Sequence, residues 1–225
     1  MESFGYKFYG RKFSRPLKEN DKRILEGHVN ILSLSELGVF VQMCRGKRVC
    51  LEIGFGDGVH MVARALKDPE TIILGCDPFM NGVVKVLKNI DANNVQNIFI
   101  FPDDARYVLD EMSSGFISEV YILFPDPWHK SRHHKRRIIN AESVKKFENL
   151  LTAEGKVFVA TDDVNYKDWI LDHFSDSAGF GLFHGEGDDI YNRPDGWHQT
   201  RYEKKAILSG KRCHYMTFRK PTSVE

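Results

Sequence analysis

Short apolar runs alternate along the chain with longer stretches in which apolar residues recur every three or four positions. The short runs predict buried strands, and the longer stretches predict helices with one apolar face. Strands are predicted at residues 48–53, 71–77, 97–101, 120–123, 156–161 and 214–218, with an irregular strand within 175–200. Helices are predicted at residues 59–66, 81–90, 106–112, 137–151 and 166–174, with one or two more between 24 and 43. This alternation predicts an α/β fold whose mostly parallel sheet is covered on both faces.

The chain length of 225 residues suits one domain with a sizeable core. No apolar run approaches the ~18–20 residues of a membrane-spanning helix, and no charged-then-apolar leader opens the sequence. We therefore expect a cytoplasmic protein that does not engage membranes. The four cysteines form no CxxC pair or disulfide-like spacing. Cys50 and Cys76 lie inside apolar runs and are predicted to be buried thiols.

Charge is unevenly distributed, although the formal net charge is only +1. Residues 1–23 carry seven Lys and Arg against three acids, and residues 201–225 carry seven against two. Residues 68–126 carry ten acids against three bases. This asymmetry suggests a basic footprint separated from an acidic pocket, unless folding scatters the charges over the surface.

The basic N-terminal segment also contains five aromatic side chains among residues 4–13. Such a segment can pair phosphates and stack on nucleobases, or its aromatic side chains can pack on the folded domain. We predict a basic aromatic arm at residues 1–23 and a single domain at residues 24–225.

A glycine-rich turn follows the first predicted strand and precedes a helix. Its glycines, Gly54, Gly56 and Gly58, have the spacing GxGxG and not the GxGxxG of dinucleotide folds. Glu52 lies two residues before the turn and would repel a pyrophosphate, whereas it suits the ammonium group of an amino-acid moiety. This combination favours S-adenosylmethionine over NAD as the ligand. Asp77, which ends the next strand, is placed to accept ribose hydroxyls, although it could also be a helix cap.

Further acids end the later strands. After the third strand, Asp104 can accept the adenine amine while the Ala105 N–H faces a ring nitrogen, and Asp103 is the competing candidate. Carboxylates clustered at one sheet edge repel each other and therefore suit a cationic ligand. The strand-end acids are Glu52, Asp77, Asp104, Asp126 and Asp162.

The most unusual stretch is FPDPWHKSRHHKRR at residues 124–137. Two prolines flank Asp126 and hold its backbone extended just past a buried strand. That position is where open α/β sheets place ligands. Five Lys and Arg follow within the stretch, so it is interpreted as a reaction centre beside a dock for a polyanion. The alternative is a proline-rich turn followed by a solvated basic helix start.

These motifs together resemble the bacterial tRNA (guanine-N7)-methyltransferases of the TrmB type. The resemblance covers roughly residues 24–220 and includes EIGFGDG at 52–58, DA at 104–105, the stretch at 124–137, TDD…Y at 161–166 and TRYE at 200–203. Asp77 stands where this family more often has Glu, and His129 where it commonly has Pro. The resemblance implies a class I methyltransferase fold with a mostly parallel seven-stranded sheet, and methyl transfer to guanine N7 at position 46 of the tRNA variable loop, forming 7-methylguanosine.

The resemblance also implies a set of site residues. S-adenosyl-L-methionine would be bound by Glu52, Gly54, Gly56, Gly58, Asp77, Asp104, Ala105 and Asp126. The substrate guanosine would be met by Lys130, Asp162, Thr200, Arg201, Tyr202 and Glu203. RNA would be contacted by Arg132, His133, His134, Lys135, Arg136 and Arg137. The implied partner is tRNA, with no obligatory protein partner, and the chain would act as a monomer or homodimer.

The expected chemistry needs no strong base, because guanine N7 carries a free lone pair at neutral pH. Attack on the methyl group moves positive charge from the sulfonium to the purine, and a carboxylate near the ring stabilises that charge. Asp126 is the catalytic candidate, with Trp128 and the prolines orienting it.

The sequence also bears on three rival functions and on a metal site. An NAD-dependent oxidoreductase is disfavoured by GxGxG and Glu52. A binding-only RNA protein on a methyltransferase scaffold is disfavoured because all five strand-end acids are present. An enzyme that methylates another RNA guanine stays open. A metal site around His129, His133 and His134 lacks a matching cysteine or carboxylate spacing, so no metal is expected.

Overall fold

A computed structural model of the chain describes residues 5–221. The first four residues of the predicted arm and the last four of the predicted domain lie outside this range. The strands are β1 Val49–Ile53, β2 Ile72–Cys76, β3 Ile98–Phe101, β4 Ile117–Leu123, β5 Leu151–Thr161, β6 Gly181–His184 and β7 His214–Arg219. The helices are α1 Glu19–Gly27, α2 Leu37–Met43, α3 Val59–Lys67, α4 Met80–Asn93, α5 Ala105–Glu111, α6 Ala141–Leu150, α7 Val164–Ser175 and α8 Arg201–Leu208.

The seven strands form one sheet in the order β3-β2-β1-β4-β5-β7-β6. The pairings from β3 to β5 are parallel, and β7 runs antiparallel between β5 and β6. The mostly parallel seven-stranded sheet is therefore confirmed. The chain builds outward from β1 to β3 and then returns to β4 beside β1. This reversal opens a crevice at the carboxyl ends of β1 and β4, where doubly wound sheets bind ligands.

Helices cover both faces of the sheet. On one face, α3 and α4 bury Met61, Val86 and Leu87 against strand residues such as Ile98. On the other face, α2, α5, α6 and α7 enclose a larger cluster around Leu51. All four cysteines are free and buried, which confirms the prediction for the two inside strands.

The predicted helix at residues 137–151 is wrong at its start. Residues 131–136 form a 3₁₀ turn, and α6 begins only at Ala141. Asn140 caps α6, because its side chain accepts the Ser143 N–H and its own N–H donates to the Ser143 hydroxyl, each at 3.0 Å. This reciprocal cap satisfies backbone groups that the helix leaves unpaired.

Two helices differ from the sequence-based predictions. Helix α8 follows Thr200 in a region that was not assigned to a helix. Helix α1 runs across the boundary predicted between residues 23 and 24, so the division into arm and domain stays a prediction. Within residues 5–221, no helix has the length and apolar character needed to cross a bilayer.

Candidate active site

A cleft of about 600 Å³ lies at the switch point of the sheet. The last residues of β1, β2 and β4, which are Ile53, Cys76 and Leu123, form its floor. The proline loop at residues 124–128 and the basic segment from Lys135 border it on one side. The site predicted from strand ends therefore coincides with a real cavity.

The glycine turn between β1 and α3 needs the backbone freedom of glycine. Gly54, Gly56 and Gly58 have φ angles of +74°, +59° and +69°, which side-chain-bearing residues rarely adopt. Gly54 and Gly56 line the cleft, whereas Gly58 packs so closely on α4 that a Cβ would lie 2.2 Å from Val86. Two of the three glycines thus face the cavity, and the third sets the helix packing.

Asp77 joins the glycine turn to the end of β2. Its carboxylate accepts the Gly56 N–H at 2.7 Å and the Phe79 N–H at 2.8 Å, and the residue is only 7% exposed. Burial raises its pKa to about 6, with the charges of Glu52 and Asp126 adding to the effect of burial and the two backbone N–H bonds opposing it. The cleft therefore contains a carboxylate that titrates close to neutral pH.

The third strand delivers Asp104 to the cleft and leaves Asp103 outside its lining. Asp104 caps α5 by accepting the Arg106 N–H at 3.0 Å, and it is ion-paired with the Arg106 guanidinium. Ala105 lines the cavity beside it. Of the two competing acids, only Asp104 lines the cleft that Asp77 also lines.

Glu52 does not line the cleft. Its side chain is 4% exposed, and its carboxylate lies 2.7 Å from His60 Nδ1, on the first turns of α3. The His60 ring packs against Tyr121 and Trp197, with centroids 5.1 and 5.6 Å apart. Sequence patterns give Glu52 its position in the strand but not this partner, which comes into contact only on folding.

The proline loop is strained at both ends. Phe124 and Trp128 have φ angles of +55° and +44°, conformations that cost free energy for bulky side chains and often occur at functional sites. Phe124 is held to the sheet by its N–H, which donates to the Ala160 carbonyl at 2.8 Å. Asp126, in the middle of the loop, is exposed and lines the cleft.

The side chains of the basic segment differ in exposure and in whether they line the cleft. Lys130, Arg132 and Lys135 are exposed, and Arg136 is half-buried. Lys135, Arg136 and Arg137 line the cleft, whereas Lys130, Arg132, His133 and His134 lie outside its lining. Arg137 differs from the others because it is only 4% exposed.

The predicted guanosine contacts are only partly brought to the cleft. Asp162 is ion-paired with Lys211, outside the lining. Thr200 caps α8 by accepting the Glu203 N–H at 3.0 Å. Glu203 is fully buried, where the Trp197 indole and the Tyr215 hydroxyl each donate to it at 2.8 Å.

Arg201 and Tyr202, which lie between Thr200 and Glu203, have different surroundings. Tyr202 lines the cleft and reaches toward Gly56. Arg201 is exposed, with its guanidinium 4.0 Å from the Asp57 carboxylate. The buried Glu203 therefore fixes the helix that presents Tyr202.

Residues of the N-terminal arm also line the cleft, and sequence reasoning left their position open. The arm contributes Tyr6, Phe8, Tyr9, Gly10, Arg11 and Ser14. The Arg136 guanidinium lies between two aromatic rings, 4.3 Å from the Tyr9 centroid and 4.9 Å from the Trp128 centroid. The mixture of aromatic and basic residues was the available signal, but it did not specify which surface the arm would contact.

The lining of the cleft combines acidic side chains with a basic border. Asp77, Asp104 and Asp126 suit a cationic ligand, while Lys135 and Arg136 at the border suit a phosphate backbone. In the part of the chain that the structure describes, no group of three or more His, Cys, Asp and Glu side chains is arranged to hold a metal ion.

The sequence is similar to those of known methyltransferases. The family model described as "Putative methyltransferase" (Methyltransf_4) matches residues 46–216. The tRNA (guanine-N(7)-)-methyltransferase of Rhodospirillum rubrum is 36% identical over 227 residues, covering 95% of this chain and 88% of the relative.

Solved structures share the fold at low identity. The 16S rRNA methyltransferase KamB has a TM-score of 0.58 and 17% identity, covering 81% of this chain and 92% of that chain. The structure of SMU.1697c from Streptococcus mutans in complex with SAH has a TM-score of 0.51 and 12% identity, covering 83% and 96%. At these identities, the similarity shows the class I methyltransferase fold.

Proposed function

The chain belongs to the family of the tRNA (guanine-N(7)-)-methyltransferases, and from this premise we propose that it transfers a methyl group from S-adenosyl-L-methionine to N7 of guanine in tRNA. The proposed target is the guanine at position 46 of the variable loop, and the product is 7-methylguanosine. The observation that supports this most strongly is that Asp126 lines the same cleft as Asp77 and Arg136. A cofactor site, a candidate catalytic carboxylate and a basic RNA dock are thereby adjacent.

The cofactor would lie across the carboxyl ends of β1, β2 and β3. Its amino-acid end would approach the backbone at Gly54 and Gly56, and Asp77 would accept the ribose hydroxyls. Asp104 and the Ala105 N–H would meet the adenine. Glu52 would act on the amino-acid end of the cofactor site only indirectly, through the strand it occupies and through His60, because its own carboxylate is buried.

The reaction proposed for this site depends on orientation and charge. S-adenosylmethionine supplies an electrophilic methyl group when it is bound. Asp126 would face the purine and stabilise the positive charge that moves onto the ring as the carbon–nitrogen bond forms. Holding the base in line with the methyl group supplies the remaining acceleration. The guanine must leave its stack to reach the cleft, which costs a few kcal/mol.

Binding of tRNA would use the basic border. Exposed Lys130 and Arg132, together with Lys135 and Arg136, would follow the phosphate backbone. Tyr202 would present an aromatic face near the glycine turn. Asp162, His133 and His134 lie outside the cleft lining and would contribute at its margin.

We expect the protein to act in the cytoplasm without an obligatory protein partner, as a monomer or homodimer. Residues 1–23 would serve as an arm against a single domain at residues 24–225. Several arm residues that line the cleft support this organisation.

A transfer assay tests the proposed function. Labelled S-adenosylmethionine is incubated with the purified chain and an unmodified tRNA that carries a variable-loop guanine. A second tRNA with adenine at that position is the matched substrate control. Label in the first tRNA alone supports the proposal. Equal label in both tRNAs would mean that the methyl group goes to another position, and this result would contradict the proposal.

Asp126→Asn tests the proposed catalytic carboxylate. We expect it to lower kcat by about 10²-fold, the size associated with one preorganised charge-stabilising group. Cofactor affinity is expected to fall less than kcat, because one of three carboxylates facing the cation is lost while Asp77 and Asp104 stay in place. Single-turnover transfer and titration calorimetry separate these effects. Near-full turnover of the variant would show that Asp126 has no catalytic role.

A further inference from the structure

Arg137 is the last residue of the basic segment, and its environment differs from that of its neighbours. Lys130, Arg132 and Lys135 are exposed to solvent, whereas Arg137 is 4% exposed. Although Arg137 lines the cleft, its side chain is almost wholly covered by protein and offers little surface to a phosphate of an incoming RNA. Its charge must therefore be used inside the fold.

The contacts of Arg137 show where it is used. Its Nε–H donates to the Pro127 carbonyl at 2.8 Å. Its guanidinium lies 4.8 Å from the centroid of the Tyr166 ring and 4.6 Å from that of Trp169. Trp169 is itself fixed, because its indole N–H donates to the Ile139 carbonyl at 2.7 Å.

Among residues 5–221, no carboxylate lies at ion-pair distance from the Arg137 guanidinium, although the charge of Asp163 is near enough to favour its protonated form and oppose the lowering of its pKa by burial. A buried cation is costly unless other groups replace its hydration. Here the faces of Tyr166 and Trp169 and the Pro127 carbonyl take that role, and desolvated cation–π contacts are the stronger ones. The geometry is specific to a planar guanidinium, which a lysine ammonium does not reproduce.

The hydrogen bond to Pro127 acts on the residue next to Asp126. The proline loop is strained at Phe124 and Trp128, and strained backbone persists only where its surroundings hold it. The sheet holds the first end of the loop, through the Phe124 N–H and the Ala160 carbonyl. Arg137 holds the second end, so that Asp126 lies between two fixed points.

We propose that Arg137 is a positioning residue, which holds the proline loop so that Asp126 faces the reacting base, and that it does not contact RNA. This inference rests on the proposed function, since it concerns the same reaction. It separates Arg137 from Arg132, Lys135 and Arg136, which remain the proposed RNA contacts. The two roles predict different kinetic signatures.

Arg137→Lys is the informative variant, because it keeps the positive charge and loses the planar stack and the Nε–H bond. We expect kcat to fall by about 10²-fold, the size of a roughly 1 Å misplacement of a reacting group. KM values for tRNA and cofactor are expected to stay within about twofold, and the slope of log Kd for tRNA against log salt should not change.

Arg132→Gln is the matched control for a phosphate contact. It is expected to weaken tRNA binding and to reduce the salt slope by about one. If Arg137→Lys and Arg137→Gln instead raise KM for tRNA, and the Gln variant also reduces the salt slope, Arg137 contacts RNA and the proposal is overturned.

A double-variant cycle with Asp126→Asn identifies the group through which Arg137 acts. If it acts through Asp126, Arg137→Lys lowers the residual single-turnover rate of the Asp126→Asn protein by less than about threefold. Independent, multiplicative losses would overturn the proposal. Thermal unfolding is measured for each protein, and Arg137→Gln replaces the Lys variant if the latter does not fold. If neither folds, Arg137 is required for the fold itself and the proposal fails.

The wild-type protein separates this inference from the proposed function. Absence of methyl transfer by the wild type would contradict the proposed function. If the wild type is active but the Arg137 and Asp126 substitutions cause independent, multiplicative losses of rate, only the role assigned to Arg137 is contradicted.

Discussion

The Asp77 carboxylate is buried at the point where the glycine turn meets β2, and burial raises its pKa to about 6. As an anion it can accept hydrogen bonds from ribose hydroxyls, and protonation removes part of that capacity. The charge state of this one side chain therefore links cofactor binding to pH.

Cofactor affinity is expected to fall as the pH drops through about 6. Below the pKa, affinity should decrease by less than tenfold per pH unit, because the protonated carboxyl keeps part of its hydrogen-bonding capacity. Titration calorimetry with S-adenosylmethionine between pH 5 and 8 measures this. The matched control is Asp77→Asn, whose amide does not titrate in this range, so its affinity should be weak and nearly independent of pH. A flat profile for the wild type would remove the ribose role of Asp77.

Sequence patterns located the acids along the chain, but only folding determines which of them face the cleft. Asp77 and Asp126 end strands and line the cavity, as their positions suggest. Glu52 and Glu203 carry the same kind of side chain and are buried, because His60, Trp197 and Tyr215 hydrogen-bond to them. Those partners lie 6 to 12 residues away along the chain, but outside the strand or helix that carries each glutamate, and the periodicity within one element carries no information about such pairings.

At the scale of elements, the strands and the first βα turns were predictable because their apolar runs and glycines are local signals. The backbone of the basic segment was not, since its charges indicated a dock for a polyanion and left a helix start only as the alternative, whereas the chain forms a 3₁₀ turn at residues 131–136. The cap at Asn140 determines where α6 begins, although Asn140 and its partner Ser143 both lie within the helix predicted at residues 137–151. The arm contacts likewise depend on the surface that the folded domain offers.

The cap predicts a loss of stability when it is removed. Asn140→Ala should lower the free energy of unfolding by about 1 kcal/mol, because the side-chain acceptor of the Ser143 N–H is lost, whereas the backbone N–H of residue 140 can still donate to the Ser143 hydroxyl. For a protein of this size, that corresponds to roughly 2–4 °C in Tm. Asn165→Ala, at an exposed position in the first turn of α7, is the matched control and should change Tm less. Equal effects of both substitutions would contradict the cap.

The arm predicts an effect on the cleft. Tyr9→Ala removes one of the two rings that enclose the Arg136 guanidinium. We expect cofactor affinity to fall about fivefold, because one cation–π contact of about 1 kcal/mol no longer holds that wall of the cleft. Phe13→Ala is the control, since Phe13 is exposed in the same arm and lies outside the cleft lining. An unchanged affinity for Tyr9→Ala would show that the arm does not support the cofactor site.

At the scale of the whole molecule, the order of strands explains why distant motifs meet. The return of the chain from β3 to β4 places the proline loop beside the glycine turn, although the two are about 70 residues apart in the sequence. Helix α8 and the arm then close the cleft from segments near the two ends of the described chain. The sheet edge was predictable from parallel strands, whereas the contributions of the two chain ends depend on tertiary packing.

The central claim is that this cleft directs the methyl group to guanine N7 of tRNA. The most direct measurement compares transfer of labelled methyl to an unmodified tRNA with transfer to the same tRNA that carries 7-deazaguanine at the variable-loop position. The replacement keeps the shape and pairing edge of the base and removes only the nucleophilic nitrogen. The account predicts label in the first tRNA and none in the second, whereas equal label in both would contradict it.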